Sequence, residues 1–418
     1  MMEQRSVIII GAGAAGLMAA KELSAKGFNT TILEAGEKAG GRMCTETKSF
    51  GFAIEPAAEF IHGNLELTLG LLKEANIEAT PINGEMVHIG DTIQDTAEEN
   101  YWPLMMQHME ELQEDITLQQ FLNTYFSGDE YKIFRKQIEG FAQGFDLADP
   151  AKAATIPLKE EWQHEQEQQY RIAGGYISLT NFLLQCCKEN NASIYYNSNV
   201  HHIEWQPNHA TVSCTNRKKF IADKIIITVP LGVLQQQNIS FTPAIPEQQN
   251  AWMNIGFGNV IKVLVHFKTG FWQAYGYAGF IISNEVIPTW WLQTPDNNVL
   301  TGWLGGPSSS QFNNYTTGQM LELTLQSLSN IFKTPVDFIK QQLQHFAVYN
   351  WENQPYTLGG YSYNTLSSIH AKQTLTNPIA HTIYFAGEAL YTGDAQSTVE
   401  AALQTGLAAA QKIIQERL

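Results

Sequence analysis

Apolar positions along this chain follow two rhythms, one of unbroken or alternating runs and one near the helical period. Ser6 to Ile10 is an apolar β-branched run, an Ala/Leu-rich stretch over 14–26 stops at Gly27, and a second apolar run ends on Glu34. That order predicts strand, turn, helix, strand. Residues 65–76 carry Leu67, Leu71 and Leu72 on one helical face. Helical spacing returns from about 98 to 143, where the Met and aromatic positions read as core. A helix is predicted over 177–188 after Gly174-Gly175-Tyr176, and strands over 193–196, 200–205 and 211–214. A buried strand over 222–229 is broken by Pro230.

The second half repeats the scheme. Residues 260–267 alternate as a strand, aromatic-rich strands over 275–282, 288–293 and 299–304 predict a second sheet, and 318–346 reads as helix apart from a break near Thr334-Pro335. The chain closes on a strand over 382–385 and a helix over 398–418, with Val399, Leu403, Gly406, Ala410 and Ile413 at helical spacing. The fold class is α/β, α+β overall, with one domain interrupting another.

Composition narrows the partners. The chain has 418 residues, 44% of them hydrophobic and 16% charged, which is the balance of a soluble globular protein. No stretch approaches the ~20 apolar residues of a membrane span, and the first strand starts too early for a signal peptide. A soluble, cytoplasmic protein is the expectation. The net charge of −16 argues against nucleic acid or an anionic membrane as partner and mildly favours cationic substrates. Cys44, Cys186, Cys187 and Cys214 show no metal-ligand spacing, so reduced structural thiols and no metal site are expected.

The first turn, Gly11-Ala-Gly13-Ala-Ala15-Gly16, is a G-x-G-x-x-G motif between strand and helix. Gly11 permits the tight turn, Gly13 lets the backbone approach a pyrophosphate, and Gly16 lets helix and strand pack closely. The helix N-terminus offers free N–H groups to phosphates. Glu34 lies 18 residues past Gly16, near the ~20-residue spacing that sets a carboxylate on a ribose hydroxyl, which disfavours a 2′-phosphate. The loop alone leaves NAD and FAD both open.

Further motifs resolve that choice. They are Gly40-Gly41-Arg42, the segment from Ala57 to Gly63, Gly174-Gly175-Tyr176, the strand end from Val229 to Leu234, Gly258 to Lys262, Trp351 through Gly359-Gly360-Tyr361-Ser362-Tyr363, and Phe385-Ala386-Gly387-Glu388 with its closing helix. In this order they resemble the flavin-containing amine oxidase family, which includes monoamine oxidases, polyamine oxidases and flavin-dependent histone-lysine demethylases. The resemblance implies a Rossmann-like FAD-binding domain (1–80, 190–245 and 375–418) interleaved with a substrate domain of mixed sheet plus helices (81–189 and 246–374). It places Gly11, Gly13, Ala15, Gly16, Glu34, Ala35, Gly41, Arg42, Val200, Gly387, Glu388, Thr398 and Val399 at the cofactor. Arg42 would pair with the pyrophosphate, Val200 would meet the adenine through its backbone, and Gly387-Glu388 would contact ribityl or phosphate. The helix beginning near Thr398 would direct its positive end at the flavin pyrimidine. Gly360 stands where monoamine oxidases carry a flavin-linking cysteine, so FAD is expected to be non-covalent.

Lys262 stands in an apolar alternating strand, where an ammonium is costly without partners. The residues alone also fit a snorkelling edge-strand lysine. The resemblance puts it beside flavin N5, bridged by water, to take up a proton, orient the water that hydrolyses the imine, or assist reoxidation by oxygen. His62 matches a position where polyamine oxidases carry histidine or glutamate near the amine; a structural histidine fits equally. Tyr361 matches one wall of an aromatic cage, with Thr398 at the opposite wall.

The implied reaction is hydride transfer from a neutral amine to flavin N5, imine hydrolysis, and reoxidation by oxygen to hydrogen peroxide. A polyamine-type substrate is favoured by His62, Gly360, the acidic balance and the acidic stretches Glu160-Glu161 and Glu165 to Glu167. An L-amino-acid oxidase would need an arginine clamp, for which Arg135 or Arg171 remain. A demethylase is disfavoured because no long tower-like helical insertion is present. A non-catalytic flavin-binding interaction protein is the alternative of another class. Oligomeric state is left open.

Overall fold

The apolar run Ser6–Ile10 becomes the centre of a five-stranded parallel sheet, ordered 383–385, 224–227, 6–10, 29–33, 193–195. Its strands come from both ends and the middle of the chain. This computed structural model describes residues 5–82, 86–89, 101–163, 168–275, 279–294 and 297–416.

Strand alternation splits the first run between two cores. Val7 and Ile9 join a core covered by the helices Ala14–Ala25, Tyr176–Glu189 and Val399–Gln415, while Ile8 and Ile10 join another built against the four-stranded sheet of 200–206, 209–214, 219–222 and 240–242. Both faces are covered, which is why the strands read as unbroken apolar runs. The helices Ala14–Ala25 and Val399–Gln415 touch through Gly406, where a Cβ would lie 2.2 Å from the Ala15 carbonyl oxygen.

A second, six-stranded sheet is ordered 343–350, 260–267, 297–305, 289–294, 280–283, 86–89. On its second strand, 260–267, Ile261, Val263, Val265 and Phe267 pack into a core beneath the helix Thr317–Phe332, which opens on a capping box of Thr316 and Gln319. Lys262 therefore lies on the opposite face, in register with Trp303 on one neighbour and Tyr349 on the other. A cluster of short helices (Trp102–Glu110, Leu118–Tyr125, Lys132–Gly144 and Thr155–Gln163) forms its own core beside this sheet. No described helix is long and apolar enough to cross a membrane.

The α/β class expected from the pattern holds, and three boundaries change. The helix expected over 318–346 ends at Phe332, restarts as Val336–Gln342, and gives way to the strand Leu343–Asn350. Pairing with Val260–Phe267 overrides local helical spacing there. The helical stretch expected over 98–143 is three helices joined by turns, with residues 98–100 outside the described set. The strand expected over 275–282 begins only at Phe280, after the 3₁₀ turn Phe271–Tyr275; residues 276–278 are also outside that set.

The end of the closing helix is tied to the parallel sheet by a buried charge. Lys224, 2% exposed, donates to Glu416 Oε2 (2.6 Å) and the His381 carbonyl (2.5 Å). Burial opposes ionisation of Glu416, yet hydrogen bonds from Lys224, Tyr384 and His381 outweigh it and hold the carboxyl at about 2. Because this value is depressed on folding, its stabilisation is complete above the unfolded carboxylate range and is lost as pH falls toward about 2. Glu416→Gln is expected to destabilise the protein at neutral pH by about 3 kcal/mol, since it strands a buried ammonium. Urea titrations across pH should show the gap between the two proteins closing on the acid side; a gap independent of pH would refute the assignment.

Candidate active site

A cavity of about 2950 Å³ runs from the first glycine turn to the face of the second sheet that carries Lys262. It is several times the ~300–1,000 Å³ of a drug-sized pocket, enough for a dinucleotide and a small substrate together. Gly11, Gly13, Ala15, Glu34, Ala35, Gly41, Arg42 and Val200 line one end. Lys262, His62 and Tyr361 line the other, and Gly387, Glu388, Thr398 and Val399 also face it. The chain thus brings together every residue expected at the site except Gly16, which lies behind the wall. A Cβ on Gly16 would sit 2.0 Å from the Gly11 carbonyl oxygen, so this glycine sets helix-to-turn packing.

The glycine end has the shape of an anion cradle. Gly13 precedes the helix Ala14–Ala25 with extended backbone and no side-chain cap, leaving first-turn N–H groups open. A Cβ on Gly13, or on Gly387 at φ +149°, would meet nothing within 4 Å, so the two glycines keep this space clear. Glu34 is held at the wall by N–H groups of Ala12 and Gly36, both at 2.8 Å, and each carboxylate oxygen retains a further lone-pair site.

Arg42 Nη1 donates to the Gly360 carbonyl (2.7 Å) and to Glu388 Oε1 (2.9 Å), while its Nη2 and Nε have no partner among the described residues. Those groups are available to a phosphate. Glu388, 4% exposed, also accepts from Ser362 Oγ at 2.6 Å. It is the counter-ion that aims Arg42.

At the other end Lys262 is fully buried and paired. Its Nζ donates to Glu59 Oε2 at 2.8 Å and to the Ala57 carbonyl at 3.3 Å, 5.5 Å from the Trp291 ring centre. Glu59 Oε1 accepts from Arg171 Nη2 (2.7 Å) and Trp291 Nε1 (3.0 Å), and its Oε2 also accepts from Gln293 Nε2 (2.8 Å). Arg171 in turn lies over the Phe60 ring at 4.8 Å. The snorkelling alternative for Lys262 is thereby removed.

His62 sits on a short strand paired with Gln169, its ring 5.9 Å from both Phe60 and Phe145. Burial pushes its imidazole down to about 4, so it is neutral at pH 7. Tyr361 donates its hydroxyl to the Phe145 carbonyl at 2.5 Å and stacks beside Trp303, with ring centres 6.5 Å apart at 23°. Burial, with Asp146, Glu161 and Glu388 nearby, keeps the phenol protonated. Thr398 is the N-cap of the closing helix: its hydroxyl accepts from Ala401 N–H (3.2 Å) and donates to the Ala395 carbonyl (2.6 Å). The aromatic neighbour of Tyr361 is Trp303, with Thr398 contributing a capped helix end.

The pattern described as flavin containing amine oxidoreductase matches residues 14–89 and 85–414. This chain belongs to that family. Polyamine oxidase 4 of rice is 25% identical over 97% of this chain and 88% of its own length. Human lysine-specific histone demethylase 2 is 26% identical over 98% of this chain, which spans 53% of it; an Arabidopsis thaliana demethylase homologue is 24% identical, with 30% spanned. Wild-type putrescine oxidase bound to putrescine shares the fold at TM-score 0.83 and 20% identity over 99% of both chains. Cyclohexylamine oxidase from Brevibacterium oxydans does so at 0.81 and 19%, over 99% of this chain and all of that one.

The family is one of flavin-containing proteins, and the cofactor is FAD. The residues present fit that group: the open space at Gly13 and Gly387, the unspent donors of Arg42 and the fixed Glu34 suit a pyrophosphate and a ribose. Gly360 offers no side chain for a covalent link. Sequence reasoning missed Glu59, Trp291 and Trp303. A lone carboxylate between Ala58 and Phe60 was a signal of the same kind as the lone Lys262, a charge in apolar surroundings that needs a partner.

Arg42→Ala is expected to weaken FAD retention by roughly 30-fold or more, the loss of ~2 kcal/mol or more of charge-assisted hydrogen bonding. Flavin absorbance per protein after gel filtration checks this; undiminished loading would remove Arg42 from the cofactor site.

Proposed function

We propose that this enzyme oxidises an amine of polyamine type to an imine that hydrolyses to an aldehyde or ketone, with oxygen as acceptor and hydrogen peroxide as product. The observation that carries the reading is the make-up of the substrate end: a neutral imidazole, aromatic walls and a buried lysine paired to a glutamate. FAD, when bound, would supply the two-electron acceptor for oxidation at the amine's α-carbon.

Each residue has a task in that scheme. His62, neutral at pH 7, offers a lone pair to the amine N–H, and the faces of Tyr361 and Trp303 keep water from the reacting carbon while tolerating a cation nearby. Lys262 spends two of its three protons on Glu59 and Ala57, which leaves one for a water or oxygen in the cavity. The first turn of the closing helix presents its positive end to the same space.

Glu161 also lines the cavity. Burial raises its carboxyl to about 7 against the opposing pull of Lys372, so a cationic second amine would draw it into the ionised form. Residues 164–167, which carry the other acidic stretch, lie outside the described set. An amino-acid substrate is disfavoured because, among the described residues, Arg42 is the arginine that lines the cavity. Arg171 is taken by Glu59 and the Leu292 carbonyl, and Arg135 by Asn123.

Anaerobic mixing with polyamines, monoamines and amino acids tests the reading. Polyamines should bleach the flavin band fastest, and peroxide should appear when air is admitted. Absence of bleaching by any amine would overturn it. Lys262→Met should slow turnover by at least roughly tenfold, about 1.4 kcal/mol of barrier, with FAD content preserved; an unchanged rate would refute its role.

A further inference from the structure

We infer that Glu59 is a positioning residue for Lys262, holding it as a fixed ammonium at the cavity wall, so that Lys262 serves there as a cation and hydrogen-bond donor rather than as a neutral base. The inference deepens the proposed function and rests on it only for what the ammonium does in the reaction.

The chemistry of the hydrogen bonds requires an ionised Glu59. Its two oxygens face only donors: Lys262 Nζ and Gln293 Nε2 on Oε2, and Arg171 Nε and Nη2 with Trp291 Nε1 on Oε1. A protonated carboxyl would have only a neutral Lys262 amine as acceptor, and the permanently charged Arg171 guanidinium on Oε1, with the Trp291 and Gln293 donors, keeps the proton on the lysine instead. The side chain is 2% exposed and Lys262 is 0% exposed, so neither charge can turn to solvent instead.

The arrangement is also rigid. Gln293 is clamped by the backbone of Glu55, accepting from its N–H at 3.0 Å and donating to its carbonyl at 3.4 Å. Arg171 is anchored by the Leu292 carbonyl at 2.7 Å and by the Phe60 face. Lys262 itself lies within a strand paired on both sides. The ammonium is thus held in one place by one anion.

Other ionisable groups near Lys262 do not replace that anion. Burial raises Glu55 to about 7, and its Oε1 is spent on Thr45 and the Tyr176 N–H. Burial, with Glu55 nearby, pushes the Cys44 thiol up to about 12. Tyr349, on the neighbouring strand, is kept protonated by burial and by its bond to Glu46. Without Glu59, Lys262 would face Arg171, and a buried lysine beside a second cation loses its proton readily.

The experiment follows the Lys262 side chain by NMR in FAD-loaded protein labelled with ¹³Cε-lysine, assigned by the signal missing from Lys262→Met. In the wild type the signal should stay at the ammonium position from about pH 6 to about pH 9, whereas in Glu59→Gln it should titrate inside that window. Glu59→Asp should restore the ammonium position. Turnover at saturating amine should gain a basic fall of roughly tenfold in Glu59→Gln that Glu59→Asp lacks.

A Glu59→Gln signal that stays with the wild type, or a wild-type signal that titrates near neutrality, would overturn the inference. Should Glu59→Gln not fold, the neutral pair Glu59→Gln/Lys262→Met decides: a folded double variant assigns the failure to the stranded ammonium and supports the inference, whereas an unfolded one makes Glu59 a partner of Arg171 alone and overturns it. If the lysine signal moves as expected while the wild type oxidises no amine, the holding role stands and the amine reading falls.

Discussion

Three charges set together, Lys262 and Glu59 buried and Arg171 half-buried, govern how this molecule closes around its cavity. They come from the second sheet, from the segment leading to His62, and from the strand Gln169–Ile172. None could be buried alone, because an unpaired ion in such a setting costs several kcal/mol (~3–5 when a partner is removed). The three segments must therefore meet in one register, and that register carries His62, Trp291 and Trp303 to the substrate end.

The same device recurs at other junctions. Arg42 and Glu388, 346 positions apart in sequence, tie the second glycine motif to the closing segment. Glu400, buried in the first turn of the closing helix, accepts from the N–H groups of Leu67 (3.1 Å) and Thr68 (2.7 Å), fixing the helix Glu66–Glu74 against it. Lys224 and Glu416 lock the end of that helix to the parallel sheet. Apolar burial supplies the bulk of the driving force, but it is non-directional, and these polar bonds specify how the packed layers align. At the cavity the Arg42 bonds also leave two of its nitrogens open to a ligand.

Much of the scaffold was legible in local pattern. The strand, glycine turn and helix of 6–34 appear as read, because β-branched runs, a positive-φ glycine and an Ala/Leu stretch each have a strong local preference. Lys262 was legible as a misplaced charge. The strand Leu343–Asn350 was not, since its helical spacing yields only when Val260–Phe267 lies alongside. Glu59 was visible as a charge in apolar surroundings, but its partners are about 110 to 240 positions away, as with Arg171 at 112 and Gln293 at 234. Spacing along a chain cannot reveal which of many distant groups will meet. Trp303 became the neighbour of Tyr361 for the same reason: strand register placed it there.

By itself the sequence determined the α/β class, the dinucleotide turn with its acidic residue, and the set of motifs that assign the family, since each rests on backbone preferences or on residues close together in the chain. Tertiary structure alone decided the ionic state of the site: that Lys262 is paired, that His62 is neutral, that Arg171 is unavailable to a carboxylate, and that Glu388 serves Arg42. Charge state depends on burial and on neighbours within a few ångströms, and those neighbours were brought together only by folding.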